Sequence, residues 1–241
     1  MLPFMSLPGR LAVLLVVSIL VHGFLFQSNF WISMTHSAAT ESSSFSARPV
    51  NVSVYVEALC IDSKRYMNEQ LVPAFAQLGS TVMEIQVVVF GNARINTTAQ
   101  TVACQHGAAE CDANTYAQCA THLYPYVERY LPYLGCLFNA LPMGHCEEPF
   151  DPAVYASCAR HAAVDATGLE QCHGNAATAW QLQQNAADKT PADHTYVPWI
   201  EINGSHIDEE AASLLDQVCR VYTESGGSHS ACQEAVSVQV L

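Results

Sequence analysis

Cys60 and Ser63 form a C-x-x-S pair, and their types and spacing point to thiol chemistry. The thiolate is the nucleophilic form of cysteine, and a helix N-terminus favours it through the macrodipole and free backbone N–H groups. Asp62 opposes this effect because a nearby carboxylate disfavours a second negative charge, whereas a hydrogen bond from the Ser63 hydroxyl would offset part of the repulsion. The pair predicts a nucleophilic Cys60. The alternative is a small, unreactive cysteine in the core, since free cysteines are often buried.

The elements around Cys60 are predicted to give it that position. Residues 51–56 alternate valine with polar residues, which indicates a β-strand that ends just before Cys60. Apolar residues then recur at helical spacing, and Asp62 or Ser63 can cap the first turn of this helix. Residues 81–90 form a second valine-rich strand. The order strand, cysteine, helix, strand is that of a βαβ unit.

The second half of the chain changes character twice. From residue 101 to about 190 strand signals are absent, and the alanine-rich pattern predicts helices that carry seven cysteines. A strand pattern returns at 196–204, with Pro198 near its start and an Asn-Gly turn into a short partner strand at 205–207. A final helix is expected at 209–224. We therefore predict an α/β core interrupted by a helical insertion.

Ten cysteines follow an export-type N-terminus, which predicts disulfide bonds. Zinc is the competing interpretation, but the spacings from Cys104 to Cys111 and from Cys111 to Cys119 are too wide for a C-x-x-C knuckle. If Cys60 is free, nine cysteines remain and cannot all pair. Another cysteine must then be free, pair between chains, or form a transient bond with Cys60.

Residues 1–39 are interpreted as a signal peptide or a signal anchor. Arg10 precedes an apolar run, as in the n-region and h-region of an export signal, and small residues at 37–39 offer a cleavage site. Apolar residues resume beyond the run, so that 11–34 could instead anchor the chain in a membrane. Both alternatives place the rest of the chain in the lumen or outside the cell, after a serine-rich linker at 40–49.

Charge and sequons fit a luminal protein. The net charge is −13, with 9 Lys+Arg against 22 Asp+Glu, which argues against nucleic acid as a partner. Protonation of all ten histidines near pH 5 would bring the charge to about −3, so self-repulsion would be low in an acidic compartment. Three N-x-[ST] sequons, at Asn51, Asn96 and Asn203, are candidate glycosylation sites.

A longer motif lies at 104–119, where C-Q-H-G-A-A-E-C-D-A-N is followed by Cys119. It resembles the signature of the gamma-interferon-inducible lysosomal thiol reductase (GILT) family, C-Q-H-G-x-x-E-C-x-x-N-x-x-x-x-C, and matches it at every fixed position. Shorter matches lie around Cys60, at 91–93 and at 196–204. The resemblance extends over about residues 50–232, which we interpret as one domain with a C-terminal tail at 233–241.

The resemblance implies a thioredoxin-like α/β fold with a disulfide-rich helical insertion at about 101–190. It also implies the reduction of protein disulfides in acidic endosomes and lysosomes. We expect no bound cofactor or metal. Pro198 would be a cis-proline facing Cys60. Disulfide-containing proteins are the expected partners, and the chain is expected to be a monomer in a lysosome or endosome, or secreted.

Ser63 departs from the family's usual C-x-x-C. A serine hydroxyl cannot resolve a mixed disulfide, because thiol exchange needs a thiolate at each step. Release of the substrate would then need a small thiol such as glutathione or cysteine, a substrate thiol, or another cysteine of this chain. Cys172 is the candidate, because it lies outside the family's usual set of cysteines. Eight cysteines are then left for disulfides, of which we pair Cys219 with Cys232: Cys104, Cys111, Cys119, Cys136, Cys146, Cys158, Cys219 and Cys232.

Two functional hypotheses of different classes follow. The first is a monothiol reductase in which Cys60 is the nucleophile, Ser63 assists and Pro198 shapes the substrate groove. The second is a non-catalytic descendant that binds unfolded or cysteine-containing chains through the same groove; a purely structural secreted glycoprotein is a third interpretation. His106 and Glu110 could serve as base and acid, but we expect both side chains to satisfy backbone groups in a cysteine-rich turn.

Overall fold

The computed structural model describes residues 47–208 and 210–233. The segment 1–39, most of the linker at 40–49 and most of the tail at 233–241 lie outside the described residues. Within the described part of the chain, no helix combines the length and the apolar character needed to cross a bilayer.

The elements follow one another as predicted for an interrupted α/β core. In chain order they are β1 (Val50–Val56), α1 (Ile61–Tyr66), a π-helical segment (Met67–Leu71), α2 (Val72–Leu78), β2 (Met83–Val89), β3 (Arg94–Asn96), β4 (Thr101–Ala103), α3 (Ala108–Leu123), α4 (Val127–Ala140), α5 (Pro152–His161), α6 (Ala166–Gly174), α7 (Ala176–Lys189), β5 (Trp199–Ile202), β6 (Ser205–His206) and α8 (Leu214–Glu224).

A four-stranded mixed sheet in the order β2-β1-β5-β6 forms the centre of the domain. Strand β1 pairs with β2 in parallel and with β5 antiparallel, so that Val54 lies between Val87 and Ile200. Strands β5 and β6 form the expected hairpin, in which Asn203 and Gly204 both have positive φ, as a tight Asn-Gly turn requires.

Alternation along the strands divides the core between the two faces of the sheet. Val52, Val54 and Val56 are buried in the larger cluster, which includes residues of α2, α3, α4 and α8. Tyr55 points to the opposite face and joins a smaller cluster with Val88 and Trp199 against α7. The strand that ends before Cys60 is therefore covered on both sides, which fixes its position.

The helix behind Cys60 is divided by the π-helical segment between α1 and α2. Pro73 lies in the first turn of α2. Proline lacks a backbone N–H, and its ring would clash with the carbonyl four residues earlier in a continuous α-helix. The wider π turn accommodates this residue without ending the helix.

Two boundaries differ from those predicted. The short hairpin of β3 and β4 precedes the helical insertion, where the sequence predicts no strand from residue 101. Each strand has three residues, of which only the central Ile95 or Val102 is partly buried, so the alternation is too short to predict a strand. The last helix begins at Leu214 rather than at 209, because the Ser213 hydroxyl caps it by accepting the Asp216 N–H.

Four disulfides connect the helical part of the domain, and the pairing corrects two predictions. They are Cys104–Cys111, Cys119–Cys172, Cys136–Cys158 and the expected Cys219–Cys232. Cys172, predicted to be free, is bonded to Cys119, whereas Cys146, predicted to be bonded, is free. Helices α3 and α6 pack together and bring Cys119 and Cys172 to a Cα–Cα distance of 5.9 Å, which suits a disulfide. Cys146 instead lies in the connection between α4 and α5.

The three candidate glycosylation sites are exposed in the structure. Asn51 lies at the start of β1, Asn96 at the end of β3 and Asn203 in the β5–β6 turn. The Asn203 side chain accepts a hydrogen bond from the Asn51 N–H at 3.0 Å. Their exposure is compatible with modification, which stays a prediction.

Candidate active site

Cys60 is the N-cap residue of α1, at the point where β1 has ended. Its extended backbone lets the sulfur turn back over the first helical turn, where Sγ accepts a hydrogen bond from the Ser63 N–H at 3.4 Å. The sequence predicts Asp62 or Ser63 as the cap, so the capping atom differs while the position of Cys60 agrees. Cys60 is 8% exposed and is therefore nearly buried.

Ser63 contributes to this site through its backbone. Its hydroxyl oxygen accepts a hydrogen bond from the Glu57 N–H at 3.3 Å, in the buried turn before Cys60. The sequence predicts that the hydroxyl donates to the Cys60 sulfur, but in the structure the bond to Sγ comes from the Ser63 amide. An N–H donor at a helix start stabilises negative charge on sulfur regardless of the side chain that follows it.

Pro198 lies opposite Cys60 and is buried, and the Val197–Pro198 peptide bond is cis, as the resemblance implies. The Cys60 thiol donates a hydrogen bond to the Val197 carbonyl across a distance of 3.7 Å. Ile61, next to Cys60, is 58% exposed, and Tyr196, two residues before Pro198, is 39% exposed.

The C-Q-H-G-x-x-E-C-x-x-N motif holds the turn that carries Cys60. Glu110 accepts the Leu59 N–H at 3.3 Å, and Asn114 accepts the Ala58 N–H at 3.0 Å, both from the start of α3. These buried amides lie beyond the end of β1 and its hydrogen bonds to the neighbouring strands, so each needs another acceptor. The fixed acid and amide of the motif provide two such acceptors, although the sequence assigned no role to Asn114.

Glu57 is a further site residue that the sequence reasoning missed. It is completely buried at the end of β1, and its Oε1 atom accepts a short hydrogen bond from the Asn92 N–H. Burial raises the pKa of Glu57 to about 8, the negative charge of Glu110 adds to this shift, and the Asn92 hydrogen bond opposes it. The sequence signal that could have indicated this site residue is a glutamate at the end of a valine-rich strand, three residues before Cys60.

Gly91 is required by the same carboxylate. It has a φ of +57°, and a Cβ atom at this position would overlap the Glu57 side chain. Glycine therefore permits both the turn after β2 and the close approach of Glu57.

His106 joins the two carboxylates into a cluster of Glu57, His106 and Glu110. Its Nδ1 atom is 2.6 Å from Glu110 Oε2 and 3.5 Å from Glu57 Oε2. The prediction of structural roles is correct for Glu110, which binds two backbone amides, but the His106 ring contacts carboxylates instead. The three ligand atoms lie within 4.8 Å of one another and could hold a metal ion. The close contact between His106 Nδ1 and Glu110 Oε2 ties the histidine ring to the carboxyl group that holds the turn before Cys60.

Solved structures with a similar fold are thiol–disulfide enzymes. The reduced form of DsbG from Mycobacterium tuberculosis matches with a TM-score of 0.56 and 16% identity, over 78% of this chain and 83% of that one. Reduced DsbA from the same organism also has a TM-score of 0.56 and 16% identity, over 78% of this chain and 88% of its own. At this identity the similarity establishes the fold, which is thioredoxin-like and of the DsbA type.

Sequence comparisons identify the family. A family model described as Gamma interferon inducible lysosomal thiol reductase (GILT) matches residues 51–162. The protein of that name from Carassius auratus is 33% identical over 203 residues, which cover 80% of this chain and 75% of the relative. The Mus musculus protein is 29% identical over 72% of this chain and 68% of its own length. The chain belongs to the gamma-interferon-inducible lysosomal thiol reductase family.

Proposed function

We propose that this chain reduces disulfide bonds of protein substrates in an acidic luminal compartment, with Cys60 as the nucleophile. The observation that carries the proposal is the position of the Cys60 sulfur. It is free, accepts the Ser63 N–H at the start of α1, and faces the Val197 carbonyl beside Pro198. A nucleophilic thiolate at a helix start is the arrangement that thiol exchange requires.

In the first step, the Cys60 thiolate attacks one sulfur of a substrate disulfide. The substrate S–S bond breaks, a mixed disulfide forms on Cys60, and the departing substrate thiolate takes up a proton. In the second step, another thiolate attacks the Cys60 sulfur and releases the second substrate thiol. Ser63 cannot perform this step, because its hydroxyl is not ionised and in the structure is bonded to the Glu57 amide.

The electrons come from a low-molecular-weight thiol, glutathione or cysteine, acting as co-substrate. Two such thiols are converted to their disulfide for each substrate disulfide that is reduced, so that the reaction balances without a bound cofactor. This proposal follows from the chemistry of Ser63, which leaves the C-x-x-S pair with one thiol.

An unfolded polypeptide is the proposed form of the substrate. Cys60 is nearly buried, whereas Ile61 beside it and Tyr196, two residues before Pro198, are exposed. A folded protein would present its disulfide at a convex surface, whereas an extended segment can lie beside Pro198. The alternative function is the binding of unfolded or cysteine-containing chains without turnover. The one observation that favours it is Ser63, which provides no resolving thiol.

An acidic compartment is supported by two observations. The family name and the relatives' names refer to the lysosome, and the buried Glu57 is neutral in the folded chain at acidic pH. The export-type segment 1–39 provides the route into the lumen, whether it is cleaved or anchors the chain.

A reductase assay tests this function. The full chain, produced through a secretory pathway, is incubated with a denatured disulfide-bonded protein and cysteine at about pH 5 and pH 7. We expect turnover in the native chain and none above background in Cys60→Ala, because only Cys60 combines a free thiol with the helix start. Ser63→Cys is the matched control for an intact scaffold. Inactivity of the native chain together with activity of Ser63→Cys would reject reduction in favour of binding.

A further inference from the structure

We propose that Cys146 is the resolving thiol of this chain and performs the step that Ser63 cannot perform. The inference rests on the proposed function, since it concerns the release of the substrate from Cys60. It assigns a second catalytic cysteine, outside both the C-x-x-S pair and the C-Q-H-G-x-x-E-C motif.

The count of cysteines selects Cys146. All ten cysteines of the chain lie within the described residues, and eight of them form the four disulfides. The two that remain are Cys60, which is buried, and Cys146, which is half-buried. The sequence predicted that a second thiol could form a transient bond with Cys60, but it named Cys172, which is already bonded to Cys119.

The segment that carries Cys146 runs along the helical turn that begins at Cys60. Lys64, in α1, donates hydrogen bonds to the carbonyls of Asn139 and Leu141 at 3.0 and 3.3 Å. Further along the segment, the Gly144 N–H donates to the carbonyl of Leu59 at 3.0 Å. The segment thus contacts first Lys64, after the first turn of α1, and then Leu59, just before Cys60. Cys146 lies two residues beyond Gly144.

Two more backbone bonds hold Cys146 against the motif that positions Cys60. The Cys146 N–H donates to the His106 carbonyl at 2.8 Å, and the Cys146 carbonyl accepts the Ala109 N–H at 3.1 Å. The same motif holds the Cys60 turn through the bond from the Leu59 N–H to Glu110. The segments that carry the two free thiols are therefore both bonded to residues 106–110.

Closure needs a local rearrangement of this segment, in which the two backbone hydrogen bonds of Cys146 break. Gly144, which bonds to Leu59 beside Cys60, is two residues and therefore at most about 7 Å of chain from Cys146. A disulfide requires Cα atoms roughly 4.4–6.8 Å apart, so the proposal needs a shift of Cys146 toward Cys60 that brings them to this separation. Residues 141–151 contain no helix or strand. A Cβ atom added to Gly144 would meet no atom within 4 Å, and the Cys146 sulfur is held by a single hydrogen bond, to the Glu148 carbonyl at 3.4 Å.

The resolving step is a thiol exchange within the chain. The Cys146 thiolate attacks the Cys60 sulfur of the mixed disulfide, a Cys60–Cys146 bond forms, and the substrate leaves as a thiolate that takes up a proton. Two low-molecular-weight thiols then reduce the Cys60–Cys146 bond and become a disulfide. One substrate disulfide is reduced in each cycle, and the small thiol attacks the enzyme after the substrate has left.

A single-turnover experiment without a small thiol tests the inference. The full chain is reduced at Cys60 and Cys146 by a mild thiol, freed of it, mixed with a denatured disulfide-bonded protein, quenched in acid, alkylated and mapped by mass spectrometry. We expect the native chain to release its substrate and contain the Cys60–Cys146 bond. We expect Cys146→Ser to remain as a mixed disulfide on Cys60.

The rate of substrate release provides an independent measurement. An intramolecular thiol acts at an effective concentration in the millimolar range, so at 0.1 mM cysteine the release of substrate from the mixed disulfide should be about tenfold slower in Cys146→Ser than in the native chain. His145→Ala, in the same segment, should leave the rate unchanged. Adding Ser63→Cys to Cys146→Ser should restore rapid release, because it supplies a resolving thiol at the C-x-x-C position.

The outcomes separate this inference from the proposed function. A native chain that stays as a mixed disulfide on Cys60, as Cys146→Ser does, would overturn the role of Cys146 and leave Cys60 as a monothiol nucleophile. The absence of any Cys60 adduct and of any substrate reduction, in all variants, would overturn both.

Discussion

At the scale of single residues, the amide of residue 63 matters more to Cys60 than its side chain does. The Ser63 N–H reaches the sulfur, whereas the hydroxyl satisfies the buried Glu57 amide. Serine provides no resolving thiol at this position, but its backbone N–H donates the hydrogen bond to the Cys60 sulfur. This explains how a C-x-x-S pair can keep the first half of the exchange reaction.

Ser63→Ala is therefore expected to separate stability from reactivity. The Sγ hydrogen bond stays, so the rate of Cys60 alkylation by iodoacetamide should be close to that of the native chain. The Glu57 amide loses its acceptor, which should lower the free energy of unfolding by about 1–3 kcal/mol in urea titrations. A large loss of alkylation rate with unchanged stability would show that the hydroxyl, and not the amide, supports the thiolate.

At the scale of elements, the parts of the site that follow a local pattern could be predicted from the sequence. Alternation predicted β1, helical spacing predicted the helix behind Cys60, and the family resemblance predicted the cis peptide bond at Pro198. The pairing of Cys172 and the free state of Cys146 depend on which helices pack together, and no local pattern encodes that. The Glu57 cluster likewise exists because α3 lies against the end of β1.

The contact between α3 and the Cys60 turn can be tested through Asn114. Asn114→Ala removes the acceptor of the buried Ala58 N–H, so we expect a loss of about 1–3 kcal/mol in the free energy of unfolding. The turn should also become less ordered and reduce substrate turnover in the folded protein. Asn139→Ala is the matched control, because Asn139 is exposed and contacts Lys64 only through its backbone carbonyl. Equal effects of the two substitutions would refute a special role for Asn114.

At the scale of the whole molecule, Glu57 links the stability of the fold to pH. Its pKa is raised from 4.5 to about 8 in the folded chain, so the folded state holds an additional proton between these values. Stability from this group is complete below about pH 4.5 and is lost as the pH rises toward 8, by at most about 1.4 kcal/mol per pH unit. The contribution of Glu57 therefore favours the folded state at acidic pH.

Glu57→Gln should remove this pH dependence. Glutamine keeps the shape and the acceptor for Asn92 but cannot ionise, so its stability should exceed that of the native chain near pH 7.5 and approach it near pH 5. Urea unfolding across this range, with the disulfides intact, measures the difference. Glu84→Gln, an exposed carboxylate in β2, is the control and should follow the native curve. A difference that does not change with pH would show that Glu57 does not carry the linkage.

The most direct measurement of the central claim is the identity of the residue that carries the substrate. The native chain and Cys146→Ser are quenched in acid while they reduce a denatured disulfide-bonded protein, and the substrate-linked peptide is sequenced by mass spectrometry. We predict that the substrate is bonded to Cys60 in both chains and accumulates in Cys146→Ser. A substrate bonded to another cysteine, or reduction that continues without an adduct on Cys60, would contradict the assignment of Cys60 as the nucleophile.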